Sequence, residues 1–304
     1  MAKTLRAPII LENVTKTYGD KKALSNVSIT LKEKKITGLL GPNGSGKTTM
    51  IKIILGIIRK DTGKVLLRGR DPFKDPRARE HVGYIPERPE LPSSMPVREV
   101  LITAAKIYGS TNPKDTVDEA ISLAGLSGNE WKRFKELSAG LKQRAAIAHA
   151  LISDPDILIA DEPTSNLDPI ERVRILDLLV DLNRKEDLTL LFTGHVLAEV
   201  SRVAEDIIVL RNGKLLFQGS PRNLMDIASI VAIRASDPVK LSMLLEERGF
   251  KTRHTPFSLT VYLSGREEIP RLMEALAVLA SKHGIDIFSI DTVEASLEEM
   301  LRRE

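Results

Sequence analysis

The sequence predicts an α/β fold: a mixed, mostly parallel sheet covered on both faces, followed by a small α+β domain. Three observations predict it. Short apolar strands alternate with helix-length segments through residues 35–219, the pattern of crossover-connected parallel strands. A glycine-rich turn, GPNGSGKTT (41–49), joins one such strand to one such helix. Finally, residues 225–304 carry a strand-helix-strand-strand-helix-strand order of their own.

Each element follows from its residues. IILENVTKTY (9–18) and NVSITLK (26–32) are rich in β-branched residues and read as an antiparallel pair. KITGLLG (35–41) is a short apolar strand that runs into the glycine turn, and KTTMIKIILGII (47–58) is the helix after it. KVLLRG and HVGYIPE add two strands. Residues 96–153 are helical: one segment follows Pro96 and stops at Gly109, and the next opens on Pro113. DILIADEP is a buried strand, Pro169 opens the helix PIERVRILDLLVDLNRK, and LTLLFTGH is again a buried strand. IIVLRNGKLLFQG is a hairpin closed by Asn212-Gly213. GSPRNLMDIAS (219–229) reads as a boundary, which puts one domain at 1–224, with a helical subdomain at about 90–153, and a second at 225–304. The second is ferredoxin-like in order, IVAIRA, PVKLSMLLEERG, KTRHT, SLTVYL, EEIPRLMEALAVLASKHG, IDIFSI, with a last short helix SLEEMLRRE.

Composition narrows the function. The chain has 304 residues with 42% hydrophobic and 28% charged, ordinary values for a globular protein. Net charge is +4, divided unevenly: 10 Lys/Arg face 13 Asp/Glu in 225–304, leaving 35 against 28 in 1–224. That positive excess suits phosphate ligands or an anionic membrane surface and falls short of a dedicated nucleic-acid binder. With no cysteine, disulfides and thiolate metal sites are excluded. No apolar run is long enough for a signal peptide or a membrane helix, since Lys52 interrupts MIKIILGII. If the protein works at a membrane, another chain crosses it.

The chemistry sits in four short stretches. GPNGSGKTT matches G-x-x-x-x-G-K-[ST]: Gly41, Pro42, Asn43, Gly44, Ser45 and Gly46 fold into a cup of amide N–H groups, and Lys47 reaches the outer phosphates. Thr48 can ligate Mg²⁺, with Thr49 beside it, and the helix that begins here adds its positive end. ILIA ends in Asp161 and Glu162 at the carboxyl end of a parallel strand, where ligands bind in open α/β sheets. Asp161 would hold Mg²⁺ through water and Glu162 would orient the attacking water. His195 ends another buried strand and would reach the same edge, able to donate to a γ-phosphate. In ELSAGLKQRAAIAHAL (136–151), Ser138 is an N-cap and Gly140 leaves backbone amides open, a second anion-binding helix start.

In that order, GPNGSGKTT, LSAGLKQR, ILIADEP, SNLD and TGH make the chain resemble the nucleotide-binding subunit of an ATP-binding cassette (ABC) transporter, over about residues 8–220. The resemblance implies a P-loop NTPase cassette, with an antiparallel β subdomain and a helical subdomain, that hydrolyses ATP with Mg²⁺. It implies that LSAGL is the signature motif, which caps the ATP of a second cassette chain, homodimeric or related, so that Ser138, Gly140 and Asp168 act in trans. It further implies that Tyr18 stacks on adenine and that YIPERPEL (84–91) senses membrane-spanning permease subunits. Glu87 stands where the family usually has a Gln ligand to Mg²⁺. Glu162, His195 and Lys47 become the catalytic set. The implied location is the cytoplasm, peripheral on the inner face of the membrane, and the sequence after His195 resembles exporter-type subunits with separate permease chains. No nucleic-acid partner is expected.

Three residues depart from the family pattern. Glu87 adds a charge to an oxygen ligand, Ala139 replaces the first signature glycine, and Leu141 replaces its glutamine. Two other readings stay open on sequence alone. One is a soluble cassette ATPase acting on nucleic acid or ribosomes. Against it, residues 49–138 hold only short helices without heptads, and the chain has one cassette rather than two. The other is a weakly catalytic nucleotide-binding regulator.

Overall fold

The computed structural model describes residues 7–227, 229–263 and 265–294. They fall into two compact units, 1–218 and 219–304, so the contacts divide ahead of the expected 224/225 boundary. The reason lies at Pro221. It opens a helix, α7 (Pro221–Ile227), whose first turn is closed by Ser220 Oγ accepting from the Asn223 N–H at 3.2 Å, so the boundary segment carries a helix.

The first unit rests on two sheets. β1 (Ile9–Tyr18) pairs antiparallel with β2 (Lys21–Thr30) and with β4 (Thr62–Leu67), in the order β2-β1-β4. The larger sheet contains β3 (Ile36–Leu40), β5 (Val82–Ile85), β6 (Ile157–Ala160), β7 (Thr189–Gly194), β8 (Asp206–Arg211) and β9 (Lys214–Gly219), in the order β5-β6-β7-β3-β8-β9. β5/β6, β6/β7, β7/β3 and β3/β8 are parallel. β3 and β6 are buried at every residue, as strands covered on both faces must be, which explains their unbroken apolar sequences. Asn212 and Gly213 both have positive φ, 49° and 75°, as the turn between β8 and β9 demands.

Helices cover the sheet. α1 (Lys47–Ile54) buries Met50, Ile51 and Ile54 in a core shared with Leu39, Ile159 and Ile208. It stops short of the predicted residue 58 because Gly56 takes a left-handed φ of 67°. α2 (Val97–Ile107), α3 (Pro113–Leu123) and α4 (Ala139–Leu151) pack on one another as the helical subdomain. α5 (Pro169–Lys185) starts where Asp168 caps it, and α6 (Leu197–Val203) lies so close to β3 that a Cβ on Gly38 would stand 2.1 Å from Val200 Cγ1.

The second unit is an antiparallel sheet with two longer helices. β10 (Ser229–Ala235), α8 (Pro238–Glu246), β11 (Lys251–His254), β12 (Leu259–Leu263), α9 (Ile269–His283) and β13 (Ile287–Glu294) assemble in the order β11-β12-β10-β13. Two split strand-helix-strand crossovers give that order, as the chain pattern predicts. Val231, Ile233, Val261, Leu272 and Leu276 form its separate core. The predicted last helix, SLEEMLRRE, lies outside the described residues.

Candidate active site

Because β5, β6, β7 and β3 are parallel and in register, their carboxyl ends reach one sheet edge: Leu40 is level with Gly194, Ala160 with Phe192, and Ile85 with Ala160. The segments that carry Glu87, Asp161, Glu162, His195 and the glycine turn all leave from that edge, so the topology gathers them.

The turn itself requires glycine. Gly46, the N-cap of α1, has φ 110°, and a Cβ there would lie 2.4 Å from the Ala23 carbonyl oxygen, so no side chain fits. Ser45 Oγ is buried without a hydrogen-bond partner among the described residues. Lys47 is 5% exposed. Its ammonium donates to the Gly41 carbonyl at 2.8 Å and the Pro42 carbonyl at 3.4 Å, and stands 3.2 Å from Glu162 Oε1.

Glu162 links both sides of the site. Its Oε2 is 3.5 Å from His195 Nδ1, and its backbone has φ 44°, a left-handed conformation unusual for a residue other than glycine. Thr193 holds it there: Thr193 Oγ1 accepts from the Glu162 N–H at 2.7 Å and donates to Asp161 Oδ1 at 2.8 Å. Asp161, 2% exposed, is further fixed by its N–H to the Ile85 carbonyl at 2.8 Å. Sequence reasoning missed Thr193. Nothing local marked it, since the run that ends at Gly194 holds two threonines, Thr189 and Thr193.

Beside these groups lies a cleft of about 430 Å³ lined by Tyr18, Lys21, Asn43, Gly44, Gly46, Lys47, Thr48, Thr49, Glu87 and Glu162. Six of the nine residues predicted on the glycine turn, Asn43, Gly44, Gly46, Lys47, Thr48 and Thr49, therefore share one space with Tyr18 and Glu87; Gly41, Pro42 and Ser45 do not line it. Tyr18 is half exposed, with the Lys16 ammonium 5.3 Å from its ring. Lys21 is a second cation that the sequence did not single out. Glu87 leans on Arg88 at 3.8 Å, and its carbonyl accepts from Ser165 Oγ at 3.4 Å. Behind it, burial and the nearby Asp161 and Glu87 carboxylates push the Tyr84 hydroxyl up to about 12.

Ser138 and Asp168 do not enter this cleft. Ser138 Oγ accepts from the Leu141 N–H at 3.3 Å and caps α4, and Asp168 Oδ1 accepts from Ile170 and Glu171 N–H, both at 3.0 Å, and caps α5. Gly140 is buried against α5: a Cβ there would meet Glu171 Oε2 at 2.6 Å.

The donor set fits a magnesium nucleotide. Among the described residues no three acidic or histidine side chains form a metal cluster. Mg²⁺ suits such a place when one or two protein oxygens are joined by phosphates, and the orphan Ser45 hydroxyl and the Lys47 ammonium are phosphate donors. A second, larger groove of about 850 Å³ lies elsewhere, lined by Leu55, Ile57, Tyr84 and Tyr108 among others. No helix among the described residues is long and apolar enough to cross a membrane.

The chain is similar to proteins already known. The family described as ABC transporter matches residues 24–165. The chain is 33% identical over 283 residues to Nod factor export ATP-binding protein I of Burkholderia pseudomallei, covering 91% of this chain and 93% of that protein. It is 31% identical over 295 residues to the bacitracin transport ATP-binding protein BcrA of Bacillus licheniformis, covering 94% of each. Among solved structures it is similar to the dimeric bacterial ABC transporter cassette MJ0796 (TM-score 0.64, 30% identity, 70% of this chain and 99% of that one). It is also similar to cbiO1 of Clostridium perfringens, part of an ABC transporter complex (TM-score 0.65, 27% identity, 72% and 90%).

Proposed function

Because this chain belongs to the ATP-binding subunits of the ABC transporter family, where it acts as the ATPase, we propose that it powers an exporter through ATP-driven pairing of two cassettes beneath separate permease chains. The observation that carries the reading is the Lys47–Glu162–His195 chain at the mouth of the glycine-turn cleft. Glu162 stands 3.2 Å from the Lys47 ammonium and 3.5 Å from His195 Nδ1, which supports reading the three as phosphate-binding cation, carboxylate base and hydrogen-bond donor.

Each residue then has a role. The backbone of Gly41–Thr49 and the Ser45 hydroxyl cradle the phosphates, and Tyr18 stacks on adenine. Lys47 balances the outer phosphate charge. Glu162 accepts a proton from, or orients, the attacking water, and His195 steadies the charge that develops on the phosphoryl oxygens. Thr48, Glu87 and Asp161, the last through water, would hold Mg²⁺, which neutralises phosphate charge when bound. In a second cassette, homodimeric or related, Ser138, Gly140 and Asp168 complete the site in trans. Support for pairing comes from MJ0796, whose solved structure is dimeric.

Export is argued from the relatives named for Nod factor export and bacitracin transport. The permease partner would meet the YIPERPEL loop, whose Tyr84 also lines the 850 Å³ groove. The chain would thus sit on the cytoplasmic face of the membrane, with residues 225–304 as an accessory domain.

Phosphate-release assays on the purified chain test the catalytic roles. Glu162→Gln is expected to lower turnover by at least a hundredfold, the usual scale for a positioned acid or base, while leaving nucleotide binding intact; Lys47→Ala is expected to lose both. Turnover by Glu162→Gln at the parent rate would remove the assigned base. Co-purification with a polytopic membrane protein supports the transport role, and co-purification with ribosomes or nucleic acid would refute it.

A further inference from the structure

The chain holds a single tryptophan, Trp131, and it points outward, 65% exposed. A lone aromatic on a surface needs no explanation, but this one is braced. The Arg98 guanidinium lies 5.4 Å from its ring centroid and is itself held by Asp118. The segment carrying it is stitched to the start of α2 by backbone bonds: the Arg98 N–H donates to the Glu130 carbonyl at 2.8 Å, and the Val97 N–H to the Lys132 carbonyl at 3.0 Å. The segment that carries the ring is therefore pinned to the start of α2, with the Arg98 guanidinium over the outward ring.

Its neighbours set the chemistry. Lys132, Arg133 and Lys135 are exposed, and among the described residues none of their charged groups is within salt-bridge distance of a carboxylate. The Lys132 ammonium donates to Asn129 Oδ1, at 2.8 Å. Both acids of the segment are engaged away from these cations: Glu136 Oε2 accepts the Arg133 backbone N–H at 3.0 Å, and Glu130, whose Oε2 is buried, acts on Arg98. Met95, in the bend just before Pro96, which bridges to Arg133, adds exposed apolar surface. Unpaired cations around an outward tryptophan are the composition of an interfacial anchor: the ring settles at headgroup depth while lysine and arginine meet anionic lipid.

We propose that Met95, Trp131, Lys132, Arg133 and Lys135 form a docking surface for the anionic headgroups of a bilayer. The patch lies between two parts of the ATP machinery in the chain, the loop of Glu87 before it and the Ser138 cap after it. A lipid bound there would hold the cassette at the membrane through contacts separate from those to a permease.

The full chain, mixed with vesicles of phosphatidylcholine alone or doped with phosphatidylglycerol, tests the proposal. Trp131 is the sole tryptophan, so its emission reports this patch and nothing else. A blue shift is expected on anionic vesicles and not on neutral ones. Near an anionic surface each cation is worth about a fivefold change in partitioning, so Lys132→Gln/Arg133→Gln/Lys135→Gln together should weaken binding on the order of a hundredfold. Basal ATP hydrolysis should not change, so failure here and failure of the ATPase assignment are told apart. Absence of a shift on anionic vesicles, equal binding to neutral ones, or undiminished binding by the triple variant overturns the proposal.

Discussion

Replacing Thr193 by valine keeps its shape and removes only the hydroxyl. That hydroxyl serves two groups at once, donating to Asp161 Oδ1 at 2.8 Å and accepting from the Glu162 N–H at 2.7 Å. Thr193 and Asp161 are 1% and 2% exposed, so water offers no ready replacement. A hydrogen bond to a charged group contributes about 1.5–3 kcal/mol, and a stranded buried N–H costs about 1–3 kcal/mol. Loss of about 3 kcal/mol is therefore expected even after some relaxation. In a unit of this size that corresponds to a fall in Tm of about 6–12 °C by thermal denaturation. Catalysis should suffer as well, because the left-handed backbone at Glu162 loses the bond that holds it. Turnover should fall with little change in KM for ATP, and Thr193→Ser should restore both Tm and turnover. A valine variant that melts within 2 °C or so of the parent (under about 1 kcal/mol) and turns over normally would refute the reasoning.

Two further outcomes are open to measurement. Burial lowers the His149 pKa, so the unfolded chain takes up the proton first as pH falls. Stability is expected to be full above the ordinary histidine range and to decline as pH drops through it toward the depressed folded value, and His149→Gln should flatten that part of a Tm–pH profile; an unchanged profile would show that other groups dominate. Leu141→Gln restores the family's amide beside the Ser138 cap, and in a Glu162→Gln background it should strengthen ATP-driven dimerisation measured by analytical ultracentrifugation. Equal dimerisation would show that the leucine costs the trans contact nothing.

The parts of this structure that could be read from the sequence are those set by local chemistry. β3 and α1 are announced by an apolar run, glycines and a lysine at fixed spacing, and the start of α5 by Asp168-Pro169, an N-cap and a first-turn proline. What escaped was set by distance. Thr193 is one of three threonines between residues 164 and 193, and nothing local distinguishes it from the others. Its role exists only because β6 and β7 are parallel neighbours whose ends are level. The capping of α4 by Ser138 could be read, but not that Glu171 from α5 would close over Gly140, which depends on how two helices pack. The contacts divide at 218/219 rather than at 224/225 for a local reason visible in the sequence, since Ser220-Pro221 is a helix start.

The same geometry bears on how the cleft receives a polyphosphate. A lysine only 5% exposed cannot be left without partners, because a bare buried ammonium costs several kcal/mol or gives up its proton. Lys47 avoids that cost with two carbonyls of its own loop and the Glu162 carboxylate. An incoming phosphate therefore exchanges one anion for another at the ammonium, rather than meeting a cation that must first be desolvated. The displaced carboxylate oxygen belongs to the residue assigned to the water, and its other oxygen already faces His195 at 3.5 Å. If Glu162 is the base we propose, nucleotide binding and its release from Lys47 would be one step in the same contact, with the Thr193 bond to its backbone N–H as the fixed point. This is why Glu162→Gln, which keeps the shape and removes the charge, should weaken hydrolysis without weakening binding: the amide competes less for Lys47 than the carboxylate does.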